Sequence, residues 1–127
     1  ERPTDNRIYN QLTADYMEVF NALVKDVPGI YYQSYAFDMK NSKSDPAMGI
    51  FHRIIGKLEG PNDGLVSVES AKWGDFRGVF PGSGEIGISH PNAVDGRRRP
   101  FRKKKDGFSD ITDFYVALVA RLKNMGY

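Results

Sequence analysis

Two short segments of this chain carry side chains suited to moving a proton. The first is Gly60-Pro61-Asn62-Asp63-Gly64-Leu65-Val66-Ser67-Val68, in which Gly, Pro and Asn make a turn that presents a carboxylate. The second is Gly87-Ile88-Ser89-His90, which sets an imidazole 27 positions after Asp63. Together they can activate a hydroxyl. The imidazole takes the hydroxyl proton, while the carboxylate holds the ring in one tautomer and stabilises the cation that forms. The hydroxyl itself is missing. No serine has glycine two positions before and two after it; Ser89 comes nearest, with Gly87 before it but Pro91 after it. No cysteine is present to replace it. An acid and a base without a nucleophile point to part of an enzyme. Taken singly, each segment has an ordinary reading: Asn-Asp-Gly is a common loop corner, and His90 could be a loop histidine with no role.

The elements that must position these loops follow from periodicity and caps. Thr13 is an N-cap type, and Tyr16, Val19, Phe20 and Leu23 recur at spacings of three and four, which predicts a helix with one apolar face. Lys25 falls in its last turn, and Val27-Pro28-Gly29 stops it. Residues 30–37, Ile-Tyr-Tyr-Gln-Ser-Tyr-Ala-Phe, read as a strand covered on both faces. A polar loop over 38–46 is followed by an apolar segment at 48–58, read as partly helical. The Asp63 turn comes next, then one or two helical turns over Glu69 to Trp73 and a short strand from Phe76 to Phe80. Gly82-Ser83-Gly84 makes a loose loop leading to His90. Ser109 caps a final helix, with Asp110 and Asp113 at the positive end of its dipole and Lys123 near the negative end. Its apolar face is Ile111, Phe114, Tyr115, Leu118, Val119 and Leu122, and Gly126 stands where a C-terminal cap belongs. Helix, short turn and buried strand is the arrangement of a mainly parallel α/β sheet. Two strong helices and two or three strands would leave sheet edges and apolar faces uncovered. The 127 residues therefore read as the C-terminal portion of a single larger α/β domain, incomplete by itself.

Composition agrees with a packed globule: 40% of residues are hydrophobic and 13% aromatic. The mean hydropathy of −0.50 argues against an integral membrane protein, and no apolar run approaches the ~18 residues that span a bilayer. The first residues, Glu1 to Asp5, carry no apolar signal-type run. Having no cysteine, the chain forms no disulfide and no thiolate metal site. The net charge of +2 conceals an asymmetry, because residues 97–105 hold seven of the 18 basic side chains and no acid. The remainder has 11 basic against 16 acidic residues. That run reads first as a solvated loop, second as a patch drawn to anionic lipid surfaces, and third as a nucleic-acid patch. No recognisable nucleic-acid module accompanies it, and no nucleic-acid partner is expected.

The stretch Asn62-Asp63-Gly64-Leu65-Val66 with Ser70-Ala71-Lys72-Trp73-Gly74, then Gly87-Ile88-Ser89-His90 and the closing helix, resembles the end of the bacterial triacylglycerol lipases of the α/β-hydrolase fold. The closing residues Phe114-Tyr115-Val116 and Asn124-Met125-Gly126-Tyr127 look more like the lipases of Gram-positive bacteria. The resemblance runs from the Thr13 helix to Tyr127. It implies a serine lipase or carboxylesterase acting on acylglycerol esters, secreted from the cell, with Asp63 as triad acid and His90 as triad base. The order nucleophile, acid, base of that fold puts the serine upstream of Glu1. The partner so implied is the N-terminal portion of the same enzyme, on the same or a companion chain, with the serine elbow, the oxyanion hole and any lid. No cofactor is implied. At the positions after the histidine where calcium-dependent relatives carry ligand side chains, this chain has Asn92 and Gly96, with Asp95 nearby, and no calcium is expected there. His52 reads as structural or solvent-facing, and Trp73 as a core anchor beside the Asp63 turn. Two alternatives stand beside the lipase reading. One is a hydrolase of another ester, a phospholipid or polyester, on the same fold. The other is a non-catalytic module that binds anionic surfaces through 97–105.

Overall fold

The computed structural model describes residues 11, 13–80, 86–96 and 111–127. The loop at 82–84, the basic run 97–105 and the cap residues Ser109 and Asp110 lie outside them. The chain divides into two compact units, residues 1–31 and 32–127.

In the first unit a helix, α1, spans Ala14–Leu23. Thr13 caps it as expected, its hydroxyl accepting from the backbone N–H of Tyr16. The helix ends before Lys25. Val24 takes an extended conformation (φ −95°, ψ 105°) while its N–H still bonds Phe20 O at 2.8 Å. The stop is earlier than Val27-Pro28-Gly29 suggested: β-branched Val24 leaves the helix readily, and Pro28 bars helical geometry at the residue before it. Tyr16, Val19, Phe20 and Leu23 form the expected face, and all four are exposed.

The second unit is built on two parallel strands, β1 (Gln33–Phe37) and β2 (Asp75–Phe80), separated in sequence by helix α2 (Gly49–Leu58). The run at 48–58 is thus helical almost throughout. The register pairs Gln33 with Asp75 and Ser34 with Phe76, then shifts to Ala36 with Val79 and Phe37 with Phe80. One extra residue is accommodated on β2, next to Gly78, whose φ of +99° suits a glycine-type bulge. Within β1 only Ala36 is buried and its neighbours are half-buried, so the two-sided cover expected of this strand is incomplete among the described residues. Residues 68–71 make a turn and Lys72 and Trp73 are irregular, so no helix forms over 69–73. Trp73 is 40% exposed and is not a core anchor. It is the backbone of Trp73 that serves the fold, because Ser34 Oγ donates to its carbonyl (2.7 Å) and accepts from its N–H (2.8 Å).

The core lies between the sheet and the last helix, α4 (Ile111–Asn124). Buried Ile111 and Phe114 meet Ile88 and Ala93, with Tyr35, Phe37, Phe80 and Leu118 packed around them. Phe114 is the hub: its ring centroid is 4.7 Å from Phe80, 5.0 Å from Tyr35 and 5.8 Å from Phe37. Arg121 extends the contact along β1, donating to Gln33 Oε1 and lying over the Tyr35 ring. The helix closes as the sequence suggests. Gly126 has φ +93°, its N–H bonds Lys123 O, and Tyr127 N–H reaches back to Leu122 O, which is a Schellman ending. Tyr115, Val116 and Val119 on α4 are exposed, as are Ile50, Phe51, Ile54 and Leu58 on α2. A two-stranded parallel sheet with these apolar faces open is what part of an α/β domain looks like.

Candidate active site

The loop after α2 is shaped by Asn62 and Asp63 together. Asn62 is fully buried and uses its whole amide. Its Nδ2 donates to the carbonyls of His52 (3.1 Å) and Gly60 (2.9 Å), and its Oδ1 accepts from the N–H of Gly64 (2.9 Å). Its backbone carbonyl accepts from Met39 N–H at 2.8 Å, which ties the loop to the end of β1. Gly64 is required here, since φ is +94° and a Cβ would come within 2.8 Å of Met48 Cβ.

Asp63 then folds onto its own turn. Oδ1 accepts two backbone hydrogen bonds, from Leu65 (2.9 Å) and Val66 (2.8 Å). That leaves Oδ2, which lies 2.8 Å from Nδ1 of His90. Because a carboxylate offers only acceptors, the proton in this contact resides on Nδ1, and Nε2 of the neutral ring carries the lone pair. The acid is buried, with a side-chain exposure of 6%, while the imidazole is 40% exposed. A base so arranged can accept a proton from an approaching group while its charge is balanced from behind.

His90 is delivered by the segment from Gly87 and opens a single-turn helix, α3 (His90–Ala93). The backbone is held on both sides: His90 N–H bonds Asp63 O at 2.8 Å, and Ile88 N–H bonds Asp38 O at 2.9 Å. Gly87 passes so close to β1's continuation that a Cβ would sit 2.1 Å from Asp38 O and 2.3 Å from the Met39 carbonyl carbon. Behind α3, Tyr115 from α4 donates to Ala93 O at 2.9 Å.

The two residues singled out in the sequence are thus adjacent, across 27 positions of chain. Ser89, the serine nearest them, is buried and donates its hydroxyl to Asp45 Oδ2 at 2.8 Å, so that hydroxyl is engaged in structure. His52 is half-buried on α2, its Nδ1 3.5 Å from Ser42 Oγ, and stands apart from this pair in its bonding. No group of three or more His, Cys, Asp or Glu side chains that could hold a metal ion occurs among the described residues. Asn92 is buried, and its Oδ1 has no hydrogen-bond partner there. Sequence reasoning passed over Asn62 as a turn residue and did not single out Ser44, Asp45 or Ser89 as supports. A buried contact between residues 44 apart leaves no local pattern to read.

With this geometry in hand, comparison with known proteins gives one informative relative. The chain is similar to a triacylglycerol lipase. It is 32% identical over 126 residues to triacylglycerol lipase 2 of Saccharomyces cerevisiae. The match takes in 94% of this chain but only 38% of the yeast protein, so the chain spans well under half the length of this lipase. The relative is fungal, and the kinship with Gram-positive lipases that the closing helix suggested has no support from it. No protein-family model matches the chain, and no solved structure matches it at a comparable level.

Proposed function

We propose that this chain is part of a serine lipase or carboxylesterase of the α/β-hydrolase fold, contributing the acid Asp63 and the base His90 to a serine that lies outside this sequence. The observation that carries the reading is the Asp63 Oδ2–His90 Nδ1 contact of 2.8 Å, with Oδ1 of the same carboxylate pinned by two backbone N–H groups. The likeness to a yeast triacylglycerol lipase supports a lipid ester as substrate. His90 Nε2 takes the proton of the serine hydroxyl as its oxygen attacks the ester carbonyl carbon. The imidazolium, stabilised by Asp63, returns the proton to the departing alcohol oxygen, leaving an acyl-enzyme. Water, deprotonated by the same nitrogen, then releases the fatty acid and restores the serine. This sequence of steps calls for no cofactor.

The remaining portion of the enzyme, on the same or a companion chain, supplies the serine elbow and the oxyanion hole and covers the open faces of α2 and α4. The basic run 97–105 is read first as a solvated loop and second as a patch drawn to an anionic lipid interface, and a secreted enzyme is the location implied by the bacterial resemblance.

The test uses the full-length protein and p-nitrophenyl butyrate. Hydrolysis is expected, with kcat reduced by about 10⁴ or more in His90→Ala, given the size of triad effects. A fluorophosphonate should label one serine outside residues 1–127, located by mass spectrometry. An adduct on any serine of this chain, or full activity in His90→Ala, would falsify the proposal.

A further inference from the structure

The segment that carries His90 is fastened from behind by the loop between β1 and α2. Three consecutive residues are held: Gly87 N–H by Ser44 Oγ (3.0 Å), Ile88 N–H by Asp38 O (2.9 Å) and Ser89 Oγ by Asp45 Oδ2 (2.8 Å). The last of these is unlike the others because it uses a carboxylate. Asp45 is 4% exposed and Ser89 2%. Placing a carboxylate there is costly unless its oxygens are engaged, and a serine hydroxyl could be held by any neutral acceptor. The Asp45 oxygens divide their work as those of Asp63 do: Oδ1 accepts from its own loop at Ala47 N–H (3.2 Å), and Oδ2 is given to the partner.

Ser89 is the residue before His90, so its Cα lies ~3.8 Å from that of the histidine. It is also the N-cap of α3, extended at φ −80° and ψ 159°, and its side chain makes no capping bond; the hydroxyl is turned to Asp45 instead. With only one turn of helix after it, the direction in which the His90 ring leaves the backbone depends on how Ser89 is held. We propose that Asp45 is a positioning residue for His90, acting through Ser89 to keep the imidazole in register with Asp63. The inference rests on the triad reading above and adds a second acidic residue, one that never touches substrate.

The experiment compares Asp45→Ala, Asp45→Asn, Ser89→Ala and the Asp45→Ala/Ser89→Ala pair in the full-length protein, measuring kcat and KM on p-nitrophenyl butyrate together with thermal unfolding. His90→Ala serves as the control for the triad reading itself. A misplacement of about 1 Å can cost ~10²-fold in rate, so Asp45→Ala and Ser89→Ala should each lower kcat by about 10- to 100-fold with KM little changed. Asp45→Asn keeps its oxygen for Ala47 N–H and offers Ser89 an amide NH2, from which the hydroxyl can accept, so it should recover most of the rate. The double variant removes both partners of the buried Ser89–Asp45 bond, so its unfolding temperature should rise above that of Ser89→Ala, which leaves the carboxylate facing a methyl. The Ala47 N–H bond is lost in the double variant and in Asp45→Ala alike, and the kcat of the double variant stays as low as that of either single variant. A merely structural bond would give the opposite result, with rate recovering alongside stability. That outcome overturns the proposal, as does an unchanged kcat in Asp45→Ala and Ser89→Ala while His90→Ala is inactive. If His90→Ala is active, it is the triad reading that fails.

Discussion

Replacing Asp63 by asparagine in the full-length protein isolates the chemistry of the pair, because the surrounding turn determines what the new amide can do. Oδ1 accepts from the backbone of Leu65 and Val66 at 2.9 and 2.8 Å, and an asparagine oxygen can do the same. The amide NH2 then falls where Oδ2 was, 2.8 Å from His90 Nδ1. An NH2 group donates, so the ring must offer a bare Nδ1 and carry its proton on Nε2, the atom that has to accept the serine proton. Turning the amide over would restore the correct tautomer but leave two backbone N–H groups facing another donor. At about 1–3 kcal/mol for each unsatisfied buried donor, that costs roughly 2–6 kcal/mol. The tautomer penalty alone corresponds to a rate loss between about 30-fold and 10⁴-fold at 1.36 kcal/mol per decade. Loss of the charge that stabilises the imidazolium moves the expectation to the upper end, and kcat should fall by about 10⁴. The turn itself survives, so the unfolding free energy should change by no more than about 2 kcal/mol. The assay is steady-state hydrolysis of p-nitrophenyl butyrate, with circular dichroism melts as the folding control. A folded Asp63→Asn protein within tenfold of the parent rate would show that His90, if it is the base, is served by another acid.

Three other substitutions probe the frame around the pair. Gly87→Ala drives a methyl into Asp38 O and the Met39 carbonyl carbon; thermal or urea unfolding should show a loss of about 1–3 kcal/mol, the usual cost of overpacking, with activity falling as well. Asn62→Ala leaves the buried Gly64 N–H and the His52 and Gly60 carbonyls without their partner; a loss of about 2–4 kcal/mol in urea unfolding is expected, and a loss under 0.5 kcal/mol would show that water replaces the amide. Changing Arg97, Arg98, Arg99 and Lys103 to Lys105 to glutamine should leave hydrolysis of a soluble short-chain ester nearly unchanged. It should weaken flotation with anionic vesicles at low salt if the run meets a lipid surface.

The parts of this molecule that sequence describes well are those with a repeating physical cause. The last helix shows in its three-and-four spacing and its terminal glycine, and α1 shows in its cap. The helix α2 was harder although Ile50, Phe51, Ile54, Ile55 and Leu58 fall on one face: Met48 offers no capping side chain, and Gly49 and Gly56 weaken the local helix signal. The glycine inside β2 carried a usable signal, since Gly78 in a strand marks a bulge. Trp73 misled because size suggests burial, whereas here the residue contributes its peptide group. Asp63 and His90 were legible from residue type and order. What holds them was not: Ser44, Asp45 and Ser89 act across more than 40 positions, and such polar contacts depend on the fold being already made.

The two halves of the pair differ in how far their geometry reaches. The Asp63 carboxylate takes its direction from residues no more than three positions away, through the N–H groups of Leu65 and Val66. The imidazole takes its direction from segments gathered from across the unit. The acid is therefore portable: the turn that aims it travels with it, and lengthening the chain between Val68 and Gly87 leaves that aim intact. The base is a tenant of its surroundings. Divergence among relatives should accordingly show insertions and new turns on the acid side of the pair, and matched, compensating changes around 38–45 wherever the histidine segment itself has altered.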